Sequence, residues 1–348
     1  MLKKLTLQNI TAFSKAELAF SEGLNIIIGE NGTGKSHILK AAYSLIAACT
    51  KNGLPMVEEP SKSRLQLEIS DKLLGVFMPE SVGKMVRYKQ SESGRISLGF
   101  DDPSFDLEVV VPKKSKADID LAVTPKAFHD KFPVFFPTRE LLTIYPNFVS
   151  VYDSHYLQFE QTWRDTCVRL GAPLLKGLDQ EAAAELLKPL EMAMNGKVEL
   201  DKSGRFYLRS GKISTEMPLV AEGLRKIAMV ATLVANGSLL GNGYLFWDEP
   251  ESNLNPRLIK LVARTILHLC RNGIQVFVAT HSFFLLRELE LLGMHEFADV
   301  TKHFMSLKTS RSGVQVSQGP STDEIDPIVT LDEELEQSER YLGAEGKE

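Results

Sequence analysis

The sequence predicts an α/β fold on a central sheet, with its two halves separated in the chain by a long stretch of different texture. Three observations predict it. Near the start, the apolar run Ile26-Ile27-Ile28 enters a glycine-rich loop and then a helical segment. From Leu219 onward apolar strands alternate with helical patterns, which implies parallel pairing through crossover connections. Between residues 51 and 130, short alternating segments are separated by Gly, Pro, Asp and Ser and read as antiparallel strands with turns.

Taken in order, Lys3–Asn9, Lys15–Phe20 and Leu24–Ile28 read as strands, and Ser36–Thr50, rich in Ala and Leu, as a helix. Arg64–Ile69, Gly75–Met78, Met85–Lys89, Arg95–Phe100 and Phe105–Val111 read as strands, and Pro112–Asp120 as a charged, mobile loop. Residues 133–137 form a short buried strand. Tyr152–Leu170 and Gln180–Met194 carry helical patterns, and Gly196–Arg209 a hairpin turning near Ser203-Gly204. The rest reads as helix 221–235, strand Gly243–Trp247, helix Pro256–Arg271, strand Ile274–Ala279 and helix Phe283–Leu291. The expected organisation is therefore one core in two halves, 1–50 and 215–310. A mixed α+β insertion fills 51–214, and a C-terminal segment 311–348 ends in an acidic tail.

Composition excludes several classes. A chain of 348 residues with 43 % hydrophobic and 24 % charged content has enough apolar residues for a packed core. No run approaches the roughly 18 apolar residues of a membrane span. Met1-Leu2-Lys3-Lys4 opens a strand pattern and not a cleavable leader. Cys49, Cys167 and Cys270 are odd in number and far apart, with neither metal spacing nor a disulfide framework. The expectation is a cytoplasmic protein without membrane partners. The net charge of −5 is uneven: residues 321–348 hold ten acidic and two basic residues, a net of −8, which leaves +3 for the body. A near-neutral body is compatible with a basic, nucleic-acid-binding face. The tail reads as a solvated helix or disordered end, or alternatively as an acidic docking tail.

Three segments carry the chemistry. Gly29-Glu30-Asn31-Gly32-Thr33-Gly34-Lys35-Ser36 completes the pattern of a phosphate-binding loop, between an apolar strand and a helix as that loop requires. Its glycines let backbone N–H groups turn toward phosphates at a helix N-terminus. Lys35 is expected to reach the β- and γ-phosphates of ATP and Ser36 to ligate Mg²⁺. The strand Tyr244–Trp247 delivers Asp248 and Glu249 at its C-terminal end, Asp248 for the Mg²⁺ shell and Glu249 to orient or deprotonate the attacking water. Thr280-His281-Ser282 ends a further strand; His281 there is either a structural histidine or a sensor of the γ-phosphate.

The order of these segments, with Asn253-Leu254-Asn255-Pro256 between the last two, resembles the non-transporter ABC-type ATPases. These include the SMC, RecF and overcoming-lysogenization-defect families and related ATPases of bacterial anti-phage defence. The resemblance covers about a third of the chain, residues 1–50 and 215–285. It implies an ABC-type head with a mixed sheet and N-terminal antiparallel strands. Phe13 and Gly23-Leu24-Asn25 also fit its opening, and the resemblance adds Phe13 to the nucleotide contacts. It further implies that Ser252–Asn255 faces a second protomer and that His281 is the switch histidine. It sets the signature segment at Ala221-Glu222-Gly223, where only Gly223 of the Ser-Gly-Gly pattern is retained. Gly223, with Arg225 or Lys226, is expected to approach the γ-phosphate across a dimer; the alternative is an ordinary amphipathic helix start. Gln158 and Gln161 are the candidates for the family's glutamine. Arg139 either faces the nucleotide or belongs to a surface pair beside a Thr138 helix cap. Phe132, Phe135, Phe136, Tyr145, Tyr152, Tyr156 and Trp163 are expected in the core and not in a base-stacking platform.

The function expected from the resemblance is an ATP-hydrolysing, Mg²⁺-dependent switch. It assembles as a homo-oligomer around ATP and controls a separate effector, such as a nuclease or toxin, in antiviral defence. Only 67 residues follow His281, too few for a fused nuclease domain. The alternative is a DNA-repair or DNA-maintenance ATPase of RecF or SMC type. The degraded signature and the large insertion argue against a transporter subunit.

Overall fold

The computed structural model describes residues 1–51, 61–87, 92–155 and 157–345. Besides short 3-10 turns, its elements in chain order are β1 (Leu2–Ile10), β2 (Phe13–Ala19), β3 (Leu24–Gly29), α1 (Lys35–Ala48), α2 (Lys62–Phe77), β4 (Ser93–Phe100), β5 (Leu107–Pro112), β6 (Asp120–Val123) and β7 (Val134–Phe136). There follow α3 (Tyr145–Ser154), α4 (Gln161–Leu170), α5 (Leu178–Met194), β8 (Lys197–Leu200), β9 (Phe206–Ser210), β10 (Ile213–Glu216) and α6 (Glu222–Ala235). The last elements are β11 (Gly243–Asp248), α7 (Pro256–Arg271), β12 (Ile274–Thr280), α8 (Phe283–Met294), β13 (Lys302–Ser310), β14 (Gly313–Gly319) and α9 (Val329–Glu345).

A six-stranded sheet runs β14-β13-β3-β12-β11-β7. Its four pairings from β13 to β7 are parallel, and β14 folds back antiparallel on β13, so the sheet is mixed. Strand side chains alternate between faces. Leu24, Ile26 and Ile28 of β3, with Leu245, Trp247, Val276 and Val278, enter a core shared with α4 to α8. Ile27, Phe246, Phe277 and Ala279 enter a second core with α1, α2 and the five-stranded antiparallel sheet β2-β1-β4-β5-β6. Phe246 stacks on Phe277 with centroids 4.7 Å apart. Both faces are covered, which is why these strands read as continuous apolar runs. β4 pairs with β1, and β7 pairs with β11, so strands from the stretch 51–214 complete sheets begun elsewhere in the chain.

The structure corrects several expectations. Arg64–Ile69 and Gly75–Phe77 lie in helix α2 and not in strands. The alternation Leu65, Leu67, Ile69 mimics a strand, but Leu67 is 69 % exposed, while Leu65, Ile69, Leu73 and Val76 form one buried helical stripe. Residues 85–87 are a 3-10 turn and an isolated bridge from Val86 to Ile10, while Tyr88 and Lys89 lie outside the described residues. The loop after β5 is tied down: Gly83 N–H donates to the Ser115 carbonyl at 3.1 Å and Val82 N–H to that of Lys116 at 3.0 Å. The helix expected over Tyr152–Leu170 is two helices, α3 and α4. His155 and Glu160 are extended, and Glu160 is captured by the Lys40 ammonium at 2.5 Å, which redirects the chain between them. Tyr156 lies outside the described residues. Phe135 and Phe136 are buried as expected, and Tyr145, Tyr152 and Trp163 pack against the first core.

Strand register decides where the site lies. Asp248 of β11 sits opposite Ala279 of β12, Thr280 opposite Ile28 of β3, and Trp247 opposite Phe136 of β7. Four parallel strands therefore end at one edge, the edge at which open α/β sheets bind ligands.

Candidate nucleotide-binding site

The loop between β3 and α1 wraps the start of the helix. Gly34 caps α1 at φ +93° and Gly32 lies at φ +83°, left-handed conformations that glycine adopts without penalty. A side chain at Gly34 would also strike the Phe13 ring at 2.8 Å, whereas one at Gly32 would meet open space. Phe13 itself is fully buried. Its ring supports the loop from beneath Gly34, which corrects the expectation that it contacts nucleotide directly. Glu30 and Asn31 are exposed on the loop, and the buried Thr33 hydroxyl donates to the Glu30 carbonyl at 2.8 Å.

The Lys35 ammonium donates to the Gly29 carbonyl at 2.7 Å and to the Glu30 carbonyl at 2.9 Å, drawn back across the loop. Burial lowers its pKa, opposed by the charges of Glu249, Asp248, Glu251 and Glu30. Asp248 is also buried. Burial raises its carboxyl pKa to about 6, a Ser36 hydroxyl hydrogen bond opposes the rise, and the Glu249 charge adds to it. Its Oδ1 atom has no hydrogen-bond partner. An orphaned carboxylate oxygen beside a hydroxyl is the donor set that a hard divalent cation takes. Among the described residues no three His, Cys, Asp or Glu side chains converge to hold a metal alone, so phosphate and water oxygens would have to complete such a shell.

Glu249 adopts φ +48°, and its N–H donates to the Ala279 carbonyl at 2.8 Å, so the chain turns sharply off β11. Both carboxylate oxygens are engaged: the Ser252 hydroxyl donates to Oε2 at 3.1 Å and His281 Nδ1 lies 3.3 Å from Oε1. Glu251 belongs to none of the three sequence motifs. It is buried, accepts from the Thr280 hydroxyl at 2.6 Å and from His281 N–H at 3.3 Å, and leaves Oε2 unpaired. Its one sequence signal is the extra acid two residues beyond Glu249.

The segment opening α6 packs on its own chain. A side chain at Gly223 would press on the Asn253 carbonyl at 3.2 Å and on Leu258 at 3.1 Å. Asn253 Nδ2 donates to Glu222 Oε1 at 2.9 Å, and Arg225 pairs with the buried Glu140 at 3.0 Å. Lys226 is 2 % exposed, and its ammonium donates to the Glu249 and Ser252 carbonyls, each at 3.1 Å. Burial pulls its pKa down to about 8, opposed by Glu251, Glu249, Glu222 and Asp248. Arg225 and Lys226 are thus spent within the chain, which corrects the expectation that they reach across a dimer. Ala221 supplies no capping side chain to α6. Arg139 is exposed on the loop after β7, three residues beyond the strand end at the site edge. Gln158 is exposed, and Gln161 packs against Gly75 of α2.

The edge thus gathers Lys35, Ser36, Asp248, Glu249 and His281 from three strands and leaves Gly223 one loop away. A family model described as "AAA domain, putative AbiEii toxin, Type IV TA system" matches residues 24–287, about three quarters of the chain. The chain belongs to this family. The matched span contains the site from the phosphate loop at 29–36 to His281. Among solved structures, an SMC head bound to the C-terminal winged-helix domain of ScpA superposes with a TM-score of 0.56 at 15 % identity, covering 92 % of this chain and 98 % of that one. The Pyrococcus yayanosii SMC head with coiled coil and joint gives 0.55 at 10 % identity, covering 96 % and 99 %. At such identities the likeness is one of fold: that of an ABC-type P-loop ATPase head. Two curated relatives are DNA replication and repair proteins RecF. The one from Streptococcus gordonii is 46 % identical over 44 residues, 13 % of this chain and 12 % of its own. The one from an Exiguobacterium species is 45 % identical over 47 residues, 14 % and 13 %. The chain spans about an eighth of the length of these relatives. The family and fold are those of a nucleotide-binding ATPase, usually Mg²⁺-dependent. No described helix is long and apolar enough to cross a membrane.

Proposed function

We propose that this AAA-domain protein is an Mg²⁺-dependent ATPase switch that assembles as a dimer or a multiple of dimers around ATP. On this reading it controls a separate effector, such as a nuclease or toxin, in bacterial phage defence in the cytoplasm. The observation that carries the ATPase chemistry is the convergence of Lys35, Ser36, Asp248 and Glu249 on one sheet edge. Phosphate oxygens replace the Gly29 and Glu30 carbonyls as acceptors for Lys35, and the exposed loop N–H groups add donors. Ser36 and Asp248 would hold Mg²⁺, which supplies neutralisation of phosphate charge. Glu249 orients the attacking water and takes its proton, with Ser252 and His281 fixing the carboxylate plane. The ATPase core is built on 1–50 and 215–310, to whose sheet the inserted region 51–214 adds β7 and the C-terminal segment 311–348 adds β14. Ser252–Asn255 and the start of α6 form the face offered to a second copy.

The test begins with Glu249→Gln. The variant is expected to bind ATP with affinity near that of the parent while turnover falls at least about 100-fold; full turnover would overturn the assignment. Co-purification with the products of neighbouring genes, with and without ATP, tests the effector. A nuclease or toxin that co-elutes supports the switch. A second reading, direct action on DNA, is favoured by the RecF segments and the SMC-head fold. It predicts a protein that stays alone and binds DNA with affinity falling steeply with salt.

A further inference from the structure

We propose that Lys226 is a positioning residue for the hydrolysis reaction: it clamps the loop that carries Glu249 to the first turns of α6 and so sets the aim of the Glu249 carboxylate. The inference rests on the reading of Glu249 as the group that orients the attacking water.

The loop after β11 contains two non-glycine residues in the left-handed region within five positions, Glu249 at φ +48° and Asn253 at φ +62°. This region disfavours a side chain, more for glutamate than for asparagine, and the Glu249 conformation persists only where the surroundings hold it. Inside the loop, Ser252 N–H donates to the Glu249 carbonyl and Leu254 N–H to the Glu251 carbonyl, each at 3.1 Å. These turn bonds close the loop on itself but do not fix it relative to the rest of the site. Lys226 does. Its ammonium bridges the Glu249 and Ser252 carbonyls, which bracket the loop, from a helix anchored in the first core by Ile227, Met229, Val230 and Leu233.

A lysine is an expensive choice at this position. The residues that follow it, Ile227, Ala228, Met229 and Val230, are apolar and buried, and a methionine would fill the same volume without desolvating a charge. What the ammonium supplies and an apolar side chain does not is a pair of directional bonds to the backbone on either side of Pro250 and Glu251. Two lesser ties run in parallel, Asn253 Nδ2 to Glu222 and the Asn253 carbonyl against Gly223. The start of α6 and the Glu249 loop therefore move as one body. Anything that displaces the partly exposed first turn of α6, including a second copy seated there, displaces the carboxylate that sits beside Lys35 and Asp248.

The experiment compares Lys226→Met, Glu249→Gln and the double variant by ATP-analogue binding and single-turnover hydrolysis. Lys226→Met is expected to keep the dissociation constant within about 3-fold while the hydrolysis rate falls at least 10-fold. In the Glu249→Gln background the same substitution is expected to add less than 2-fold, because nothing remains to be aimed. An unchanged rate in folded Lys226→Met, or a full 10-fold effect in both backgrounds, overturns the proposal. If Lys226→Met loses its cooperative thermal transition, Lys226→Arg takes its place. Arginine is larger than lysine at a position only 2 % exposed and puts a planar guanidinium where the compact ammonium sits, which displaces the loop, so a rate loss of at least 3-fold at unchanged affinity is expected, and a parental rate overturns the proposal. If Glu249→Gln alone retains full turnover, the reading of Glu249 fails, and the clamp fails with it.

Discussion

Replacing Asp248 by asparagine is expected to improve the stability of the ligand-free protein relative to the parent as pH rises from 5 to 8, while weakening its response to Mg²⁺ and ATP. Asp248 is buried, its Oδ1 has no partner, and its carboxyl pKa is raised from 3.8 to about 6, chiefly by burial. A carboxyl that holds its proton more tightly when folded favours the folded state fully below pH 3.8, and that contribution is lost as pH rises to about 6. Keeping the carboxylate ionised in the folded protein at pH 8 therefore costs about 3 kcal/mol, and about half of that at pH 5. Asparagine carries no charge at either pH. Its amide does introduce a donor without an assured acceptor, at a cost of about 1–3 kcal/mol that is the same at both pH values. The difference between pH values isolates the electrostatic part: relative to the parent, Asp248→Asn gains about 1.5 kcal/mol between pH 5 and pH 8. Urea unfolding in EDTA at the two pH values measures it. A gap that is flat with pH, or that narrows toward pH 8, refutes the argument. With Mg²⁺ and ATP at 100 times the dissociation constant the parent gains about 2.7 kcal/mol, and the variant is expected to gain less than half of it.

Three further outcomes follow from the packing. Gly34→Ala places a methyl 2.8 Å from the Phe13 ring at φ +93°; it is expected to cost about 1–3 kcal/mol and at least 10-fold in ATP affinity, read by thermal melting and nucleotide titration. Lys72→Met leaves Asp165, which also accepts from the Tyr43 hydroxyl at 2.7 Å, without its 2.9 Å ammonium partner. Urea unfolding is expected to show a loss of about 3 kcal/mol, with Arg164 at 3.6 Å limiting the damage and ATP affinity unchanged. Removing residues 329–348 deletes α9, whose Leu335, Tyr341 and Leu342 are exposed; the thermal midpoint is expected to move by less than about 4 °C, equivalent to under 1 kcal/mol.

Much of the site was legible because its signals are local. Gly29–Ser36 needs only eight consecutive residues between a strand and a helix, and β11 announces Asp248 and Glu249 by an apolar run that stops at two acids. The expected bounds Pro256–Arg271 match helix α7, whose start is held by the Asn255 side chain accepting from Leu258 N–H at 3.1 Å and by Pro256 at the first helical position. Helix α2 was misread because period-2 and period-3.6 patterns coincide over six residues, and only burial against α1 separates Leu65 from Leu67. The family resemblance puts Phe13 at the nucleotide; its burial beneath Gly34 is a contact between residues 21 positions apart that no local pattern shows.

The sequence by itself determined that this is an α/β P-loop protein, which loop carries the phosphate-binding pattern, and which two acids end the neighbouring strand. Each is a matter of residue type and spacing along a few consecutive positions. The tertiary structure alone decided that Glu251 sits under Thr280 and His281, that Arg225 pairs with Glu140, and that Lys226 holds the Glu249 loop. Those relations depend on the register of β7, β11 and β12 and on where α6 packs, and they join residues 23 to 85 positions apart, beyond the reach of any local pattern.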